Sequence, residues 1–231
     1  MFKIKLEQKD ILYEDNHVIV ILKSAGIPSQ ADKTGDIDAL SMVKQYIKEK
    51  YNKPGNVYVG LVHRLDRMTA GIMIFAKTSK GASRLSENIR TGDFKKEYLA
   101  CVEGKLPLNS TETLENYIVK DEKNNLSKIV EKNVKGAKEA KLEYTVIGHT
   151  ECNSKSYSYI HVKLYTGRHH QIRVQLSNAG HALFGDIKYG GAKGNLALFA
   201  CKLSTYHPTK DEILEFTHYP EKSGIWKDLE V

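Results

Sequence analysis

The stretch of sequence that decides the fold reads His63-Arg64-Leu65-Asp66-Arg67-Met68-Thr69-Ala70-Gly71-Ile72-Met73-Ile74-Phe75-Ala76-Lys77. Its apolar run, Gly71–Ala76, predicts a strand, and the run Val57–Val62 predicts another strand just before it. The charged loop between them holds Asp66 between two arginines. A carboxylate near guanidinium groups is expected to stay ionised at neutral pH, which suits a nucleophile better than a general acid. A surface salt bridge at a strand end is the alternative that spacing alone leaves open.

A second polar segment joins a predicted strand to a predicted helix, and it reads Tyr165-Thr166-Gly167-Arg168-His169-His170-Gln171-Ile172-Arg173-Val174. It concentrates hydrogen-bond donors at the start of a helix, where the helix dipole also favours anions, so it suits a phosphate or a carboxylate. Metal binding is disfavoured, because adjacent histidines on a helix diverge by about 100° and chelation needs them one turn apart. The alternative is a solvated helix start.

The third element is the predicted strand Phe94–Ala100. Alternation along a strand places Lys96 and Tyr98 on one face and Glu97 and Leu99 on the other. A tyrosine beside basic residues can stack on a base, a contact worth about 1–3 kcal/mol. Ordinary half-buried packing is the alternative for such a tyrosine.

Strand and helix signals continue through the rest of the chain. Helical periodicity is predicted for Asp36–Tyr51, for a segment capped by Ser79 and ended by Gly92, and for a face ended by Gly180. Further strands are predicted at Val18–Leu22, 97–103, 142–148, 159–165, 196–203 and 213–217. The polar, lysine-rich stretch from Lys105 to Lys141 most resembles a domain boundary. Strands outnumber helices and often follow one another too closely for helical crossovers, which favours an α+β fold.

Composition narrows the functional classes. The chain has 231 residues, of which 41% are hydrophobic, and carries a formal charge of +7, which favours a polyanionic partner without proving one. No apolar run approaches the ~20 residues of a membrane span. Three widely spaced cysteines indicate neither a disulfide framework nor a zinc site, and the start, Met1–Glu7, lacks the apolar core of a secretory signal. A cytoplasmic protein is therefore expected.

Together these elements resemble the RluA family of pseudouridine synthases, and the resemblance runs from about Ile11 to Pro220. The loop matches the family pattern His-Arg-Leu-Asp-x-x-Thr-Ser-Gly except at Ala70. The opening turn Lys23-Ser24-Ala25-Gly26 has Ser24 where the family has proline, and Gly167–Val174 has His169 where it has threonine. Gly185-Asp186 and Tyr189-Gly190 continue the pattern. No ATPase, dinucleotide-binding or hydrolase motif competes with it.

The resemblance implies a mixed, largely antiparallel sheet flanked by helices, with an active-site cleft across it. Residues 1–231 would form a single catalytic domain without the N-terminal RNA-binding module of many relatives. It would act as a monomer on ribosomal or transfer RNA, without cofactor, metal or membrane. A uridine would be isomerised to pseudouridine after flipping out of its helix, which costs a few kcal/mol.

The resemblance also implies residue roles. Asp66 would be the nucleophile, Arg173 would pair with it within about 4 Å, and Tyr98 would stack on the uracil and help to remove the C5 proton. Arg64 would fill the space that the uridine leaves. The other substrate-binding candidates are His63, Arg168, His170 and Gln171.

The sequence leaves three alternatives to this function open. A carboxylate-dependent nucleosidase or glycosidase would break the same kind of bond, but it usually needs a second carboxylate, for which Asp186 or Glu97 is available. A non-enzymatic RNA-binding module would tolerate the loss of the Asp66 charge. The third is an inactive relative that keeps the fold.

Overall fold

The computed structural model describes residues 5–231, which divide into two compact units. The first unit comprises the chain up to Lys95 together with Ala200–His218. The second unit comprises Lys96–Phe199 and Tyr219–Val231. The signal-sequence interpretation of Met1–Glu7 falls partly on Met1–Ile4, which lie outside the described residues. That the whole chain acts as one catalytic domain stays a prediction.

Eleven strands and three α-helices are formed by the described residues. The strands are β1 (Ile11–Glu14), β2 (Val18–Lys23), β3 (Gly60–Leu61), β4 (Ala70–Ala76), β5 (Lys95–Glu103), β6 (Thr111–Asp121), β7 (Leu126–Val130), β8 (Lys138–Cys152), β9 (Lys155–Leu164), β10 (Leu198–Tyr206) and β11 (Ile213–Thr217). The helices are α1 (Ala39–Lys50), α2 (Ser79–Thr91) and α3 (Gln171–Asn178).

The first unit contains the strand order β1-β2-β4-β10, with β3 on β4 and β11 on β10. Strands β2 and β4 run antiparallel, from Val18 opposite Ala76 to Lys23 opposite Gly71. Both are buried along nearly their whole length, which explains why each reads as a continuous apolar run. One buried core cluster of this unit consists of Val18, Val20, Ile72, Ile74, Ala76, Leu85, Phe94, Leu203 and Leu214.

The helices of the first unit begin at side-chain caps. Asp38 accepts a hydrogen bond from Ser41 N at the start of α1, and Thr78 accepts one from Gly81 N at the start of α2. The prediction that Ser79 caps α2 is wrong by one residue, because Thr78 has the extended backbone of a cap and Ser79 is already helical. Gly92 ends α2 in the left-handed conformation, as predicted.

The second unit contains the antiparallel order β5-β9-β8-β6-β7. Helix α3 packs against this sheet through Val174, which joins Ile118 and Ala140 in a small core cluster. The interpretation of 105–141 as a boundary is wrong, since β6, β7 and the start of β8 occupy it and the units divide elsewhere. The alternation of charged and apolar residues there comes from strands with one solvated face.

Gly71 marks a close approach between strands β4 and β10. Its φ is 124°, and a Cβ at this position would lie 2.3 Å from the carbonyl oxygen of Ala200. A side chain would force β4 away from β10. The motif glycine is therefore explained by packing within the first unit.

In the first unit, the pairs β1–β2, β2–β4, β3–β4 and β10–β11 are antiparallel. In the second unit, the pairs β5–β9, β8–β9, β6–β8 and β6–β7 are antiparallel. With three short helices, this confirms the predicted α+β class with a mixed, largely antiparallel sheet. No helix within residues 5–231 is long and apolar enough to cross a bilayer.

Candidate active site

Asp66 lies in the first unit, on the loop between β3 and β4, and is half-buried. Its carbonyl oxygen accepts a hydrogen bond from Thr69 N at 3.0 Å, which closes a tight turn just before β4. The predicted nucleophile therefore begins a turn anchored on a buried strand. Functional side chains on loops are held best when a rigid scaffold fixes the loop in this way.

Ser29 fixes the backbone immediately before Asp66. Its hydroxyl donates to the carbonyl oxygen of Leu65 at 2.7 Å and accepts from Leu65 N at 3.0 Å. Ser29 and Leu65 are both buried, so water cannot replace these bonds cheaply. One side chain thus holds both polar groups of the residue that precedes Asp66.

Lys23, at the end of β2, supports the same loop from inside the first unit. Its ammonium donates to the carbonyl oxygens of Ser24 (2.9 Å), Ile27 (2.8 Å) and Arg67 (3.2 Å), which uses all three N–H groups. Burial lowers the pKa of Lys23 to about 7, against the raising effect of the Asp66 charge. Lys23 therefore ties the opening turn to the residue after Asp66.

The other charged and aromatic residues of the loop have different surroundings. His63 is buried, its Nε2 accepts from Ile74 N at 3.1 Å, and its ring centroid lies 5.1 Å from that of Phe94. Arg64 is exposed. The Arg67 guanidinium donates to Gly26 O and Thr34 Oγ1 and pairs with the Asp36 carboxylate. Arg67 therefore fastens its loop to 26–36.

Arg173 lies in the second unit, on α3, and is buried together with Asp186. Its Nε and Nη2 donate to the two carboxylate oxygens of Asp186, each at 2.7 Å. This is a bidentate, charge-assisted pair, which fixes the plane of the guanidinium. It uses two of the five guanidinium N–H groups.

His170 precedes α3 in a left-handed conformation (φ 51°) and is buried. Its Nδ1 lies 2.8 Å from the hydroxyl of Tyr189, and that hydroxyl accepts from Ser127 N at 2.7 Å. Burial, and next the Arg173 charge, lower the pKa of His170 to about 3, so its ring is neutral at physiological pH. The ring of Tyr189 also lies 5.1 Å from the Arg173 guanidinium, so Tyr189 contacts two predicted site residues.

Gln171 and Arg168 shape the loop before α3. The Gln171 Oε1 accepts from Thr166 Oγ1 (2.7 Å) and Arg168 N (3.0 Å), and its Nε2 donates to Lys141 O (3.1 Å). The exposed Arg168 donates from Nε to Glu139 O at 2.7 Å. These bonds fasten the loop to β8.

Tyr98, on β5, is buried and lies on the face of the sheet that carries α3. It stands opposite Val162, which stands opposite Tyr144, so the three side chains share a face. Ala140 lies four residues from Tyr144 on β8, hence on that face too, and packs with Val174 of α3. The structure thus places Tyr98 and α3 on one side of the second unit's sheet.

The two carboxylates considered for a glycosidase are both engaged. Glu97 lies on the opposite face from Tyr98 and pairs with His161 Nε2 at 2.8 Å. Asp186 is held by Arg173. Among residues 5–231, no group of three or more histidine, cysteine, aspartate or glutamate side chains is arranged to hold a metal ion.

Four residues around these groups had no role in the sequence analysis, namely Lys23, Ser29, Ser127 and Tyr189, and Asp186 was considered only as a second carboxylate. Lys23, Asp186 and Tyr189 lie within the motif matches, which was the available signal. Ser29 and Ser127 had no signal, because each contacts a residue 36 or more positions away.

The chain is similar to a known family and to individual relatives. A family model described as RNA pseudouridylate synthase matches residues 17–178. An uncharacterized RNA pseudouridine synthase of Bacillus subtilis, YhcT, is 35% identical over 210 residues, which cover 89% of this chain and 66% of the relative. The ribosomal large subunit pseudouridine synthase D of Neisseria meningitidis (strain Z2491) is 33% identical over 225 residues, which cover 90% of this chain and 57% of the relative.

A solved structure supports the fold. Human RNA pseudouridylate synthase domain containing 1 superposes with a TM-score of 0.72 and 24% identity, covering 92% of this chain and 83% of that chain. This chain therefore spans about two thirds or less of the Bacillus and Neisseria relatives, and most of the human structure.

Proposed function

Since this chain belongs to the RNA pseudouridylate synthase family, we propose that it converts uridine in RNA to pseudouridine with Asp66 as the nucleophile. The observation that carries the proposal is that the family match, residues 17–178, spans the loop of Asp66, the strand of Tyr98 and the helix of Arg173. The family match supports the enzyme class expected from the sequence, an RNA pseudouridine synthase.

The reaction is an isomerisation that balances without any other reactant. The bond between N1 and the ribose C1′ breaks, a bond between C5 and C1′ forms, the C5 proton leaves, and N1 gains a proton. No electrons are gained or lost overall. We therefore propose that the reaction needs neither metal nor cofactor. We also propose that the enzyme is monomeric and cytoplasmic.

Asp66 suits the nucleophile's role because its backbone is fixed on both sides. Ser29 holds Leu65, and Lys23 holds Arg67. A carboxylate aimed by a rigid loop loses little freedom when the substrate arrives, which favours attack. The exposed Arg64 is proposed to enter the space left by the flipped uridine.

Arg173 is proposed to hold the Asp66 carboxylate in its ionised form. Its bidentate pair with Asp186 fixes the guanidinium plane and so orients the side chain. Tyr98 is proposed to stack on the uracil and to assist removal of the C5 proton, directly or through water.

The remaining candidates divide into contact and positioning roles. His63 accepts a hydrogen bond from Ile74 N, and Gln171 bonds to Thr166 and Lys141, so we propose that both position the loops around the substrate. Arg168, exposed at the start of the α3 segment, and His170 are proposed to bind the RNA. Ribosomal and transfer RNA are both proposed targets.

Tritium release tests the reaction. RNA transcribed with [5-³H]uridine should lose tritium to water on incubation with the chain, because the C5–H bond breaks, and no free uracil should appear. Asp66→Asn should abolish release, whereas Asp211→Asn, at an exposed carboxylate of the same unit, should not. Free uracil would instead identify a nucleosidase, and activity lost on exhaustive chelation and restored by one metal would contradict the metal-free proposal.

The target is found by mapping pseudouridine position by position in total RNA from cells with and without the gene. A uridine that loses its modification and regains it with the wild-type chain, but not with Asp66→Ala, is the substrate. Restoration by Asp66→Ala would contradict the role of Asp66.

A further inference from the structure

Lys96 is a basic residue beside the proposed catalytic groups that no step above uses. It lies on β5 two residues before Tyr98, on the same face of the sheet. It stands opposite Leu164 on β9, an apolar neighbour that offers no counter-charge. Lys96 therefore belongs to the side of the second unit that carries α3.

The ammonium of Lys96 lies against the loop that leads into α3. A Cβ placed on Gly167 would come within 3.4 Å of the Lys96 Nζ. The absence of a side chain at Gly167 thus leaves room for the ammonium next to Arg168. The exposed Arg168 donates to Glu139 O, and the Lys96 ammonium is the cation that lies against the backbone of Gly167.

Lys96 has no acidic partner in the part of the chain that the structure describes, residues 5–231. Neither an ion pair nor a side-chain hydrogen bond joins its Nζ to any carboxylate there, although the residue is half-buried. Burial alone lowers its pKa to about 8. By contrast, Lys141 on β8 pairs with Glu115, and Lys163 on β9 pairs with Glu143.

A half-buried charge without a partner costs folding free energy, so its presence needs an explanation outside the folded chain. We propose that Lys96 binds a phosphate of the RNA backbone next to the uridine that stacks on Tyr98. The inference rests on the proposed function, since it takes RNA as the ligand and Tyr98 as the base platform.

The spacing along β5 fits this assignment. Two residues of a strand separate Cα atoms by about 6.6 Å, and the flexible stem of lysine adds further reach. The base on Tyr98 and the phosphate near Lys96 then belong to the same nucleotide. Lysine binds phosphate as a point charge and needs no fixed fork geometry.

The test compares Lys96→Met with Lys95→Met, which removes an exposed charge from the adjacent position of the same strand. Both are made in a full chain carrying Asp66→Asn, and each binds a fluorescein-labelled ten-nucleotide oligo(U) over a range of salt. Lys96→Met should weaken binding about tenfold and reduce the slope of log K against log salt by about 0.7, the value for one phosphate contact. Lys95→Met should change the affinity less than threefold, and Lys96→Arg should keep most of it.

A competition experiment distinguishes binding of the phosphate from binding of the base. Uridine 3′-monophosphate should displace the oligo(U) better than uridine does, and Lys96→Met should remove that advantage. Equal effects of Lys95→Met and Lys96→Met would overturn the proposal, and so would an affinity loss with an unchanged salt slope, which would assign Lys96 to a uracil carbonyl. Because binding is measured without turnover, either failure leaves the tritium assay, and with it the proposed isomerisation, independently testable.

Discussion

The two units hold their shares of the proposed site by different means. In the first unit, the segments that flank Asp66 are held through backbone groups, by Ser29 on Leu65 and by Lys23 on Arg67. In the second unit, side chains hold one another, as in the Arg173–Asp186 pair and in the contact between His170 and Tyr189.

The difference teaches where each region tolerates change. We call the contacts of Ser29 and Lys23 backbone clamps, because one buried hydroxyl or ammonium binds backbone groups of the loop. Such a contact does not depend on the side chain of the residue that it holds. A side-chain pair fails when either partner changes, because the other is left buried with an uncompensated charge. Changes at the first unit's clamps should therefore act on the loop, and changes in the second unit should act on stability first.

The largest expected effect is the loss of activity in Asp66→Asn. Tritium release should fall by more than about 10³-fold, because the amide keeps the volume but has no negative charge for attack. Folding should be nearly unchanged, since the clamps hold the backbone and not this carboxylate. Urea unfolding monitored beside the activity assay checks both, and turnover within tenfold of wild type would contradict the assignment.

Asp186→Asn should produce the largest loss of stability. The change removes one charge of the buried, bidentate Arg173–Asp186 pair, and breaking such a pair costs about 3–5 kcal/mol. Chemical denaturation measures the change, with Glu151→Gln, at an exposed carboxylate of the same unit, as the control. A loss below 1 kcal/mol would show that the pair does not hold the second unit's site.

Ser29→Ala should have a smaller effect, confined to the Asp66 loop. It leaves the N–H and carbonyl of Leu65 buried without their partner, which costs about 1–3 kcal/mol. Ser24→Ala, whose side chain is exposed five residues earlier, is the matched control. If activity and stability of Ser29→Ala both equal those of the control, the clamp is not what positions the loop.

The most gradual effect is a pH dependence of stability that originates at Lys23. Its pKa is about 7 in the folded chain, below the ordinary 10.5, so between these values the unfolded chain binds more protons. The free energy of unfolding should therefore rise with pH from 7 upward, by about 1 kcal/mol per pH unit. Lys23→Met should remove this rise.

Asp66→Asn gives a second test of the same titration. Without the Asp66 charge, which raises the pKa of Lys23, that pKa should fall further and the rise in stability should begin below pH 7. An unchanged profile in this variant would contradict the electrostatic coupling of the two residues.

Strands could be predicted from the sequence where each one carries a clear hydrophobic pattern of its own. Strands β2 and β4 are buried on both faces, so their continuous apolar runs identify them directly. Strands β6 and β7 were missed because their solvated face carries lysines and acids, and only a few positions such as Ile118 and Ser127 are buried. Their alternation was hidden by the lysine-rich composition.

The candidate site was predictable as far as its motifs reach. Asp66, Tyr98 and Arg173 were named from sequence, and Tyr98 does share a face with the helix of Arg173. The residues that hold them were not identified, because a hydrogen bond between Ser29 and Leu65, or between Ser127 and Tyr189, joins positions 36 and 62 residues apart and leaves no periodicity. Asp186 lay in a quoted motif and was considered only as a second carboxylate, not as the partner of Arg173.

The first unit is discontinuous in sequence, since β10 and β11 are translated more than 100 residues after Lys95. Its core includes Leu203 and Leu214, which a growing chain acquires more than 100 residues after Lys95. Strands β5 to β9 follow one another directly, so the second unit has its main strands earlier. The segment that carries Asp66 is made before β10 and β11, so its unit gains a complete core only after the strands of the second unit have been translated.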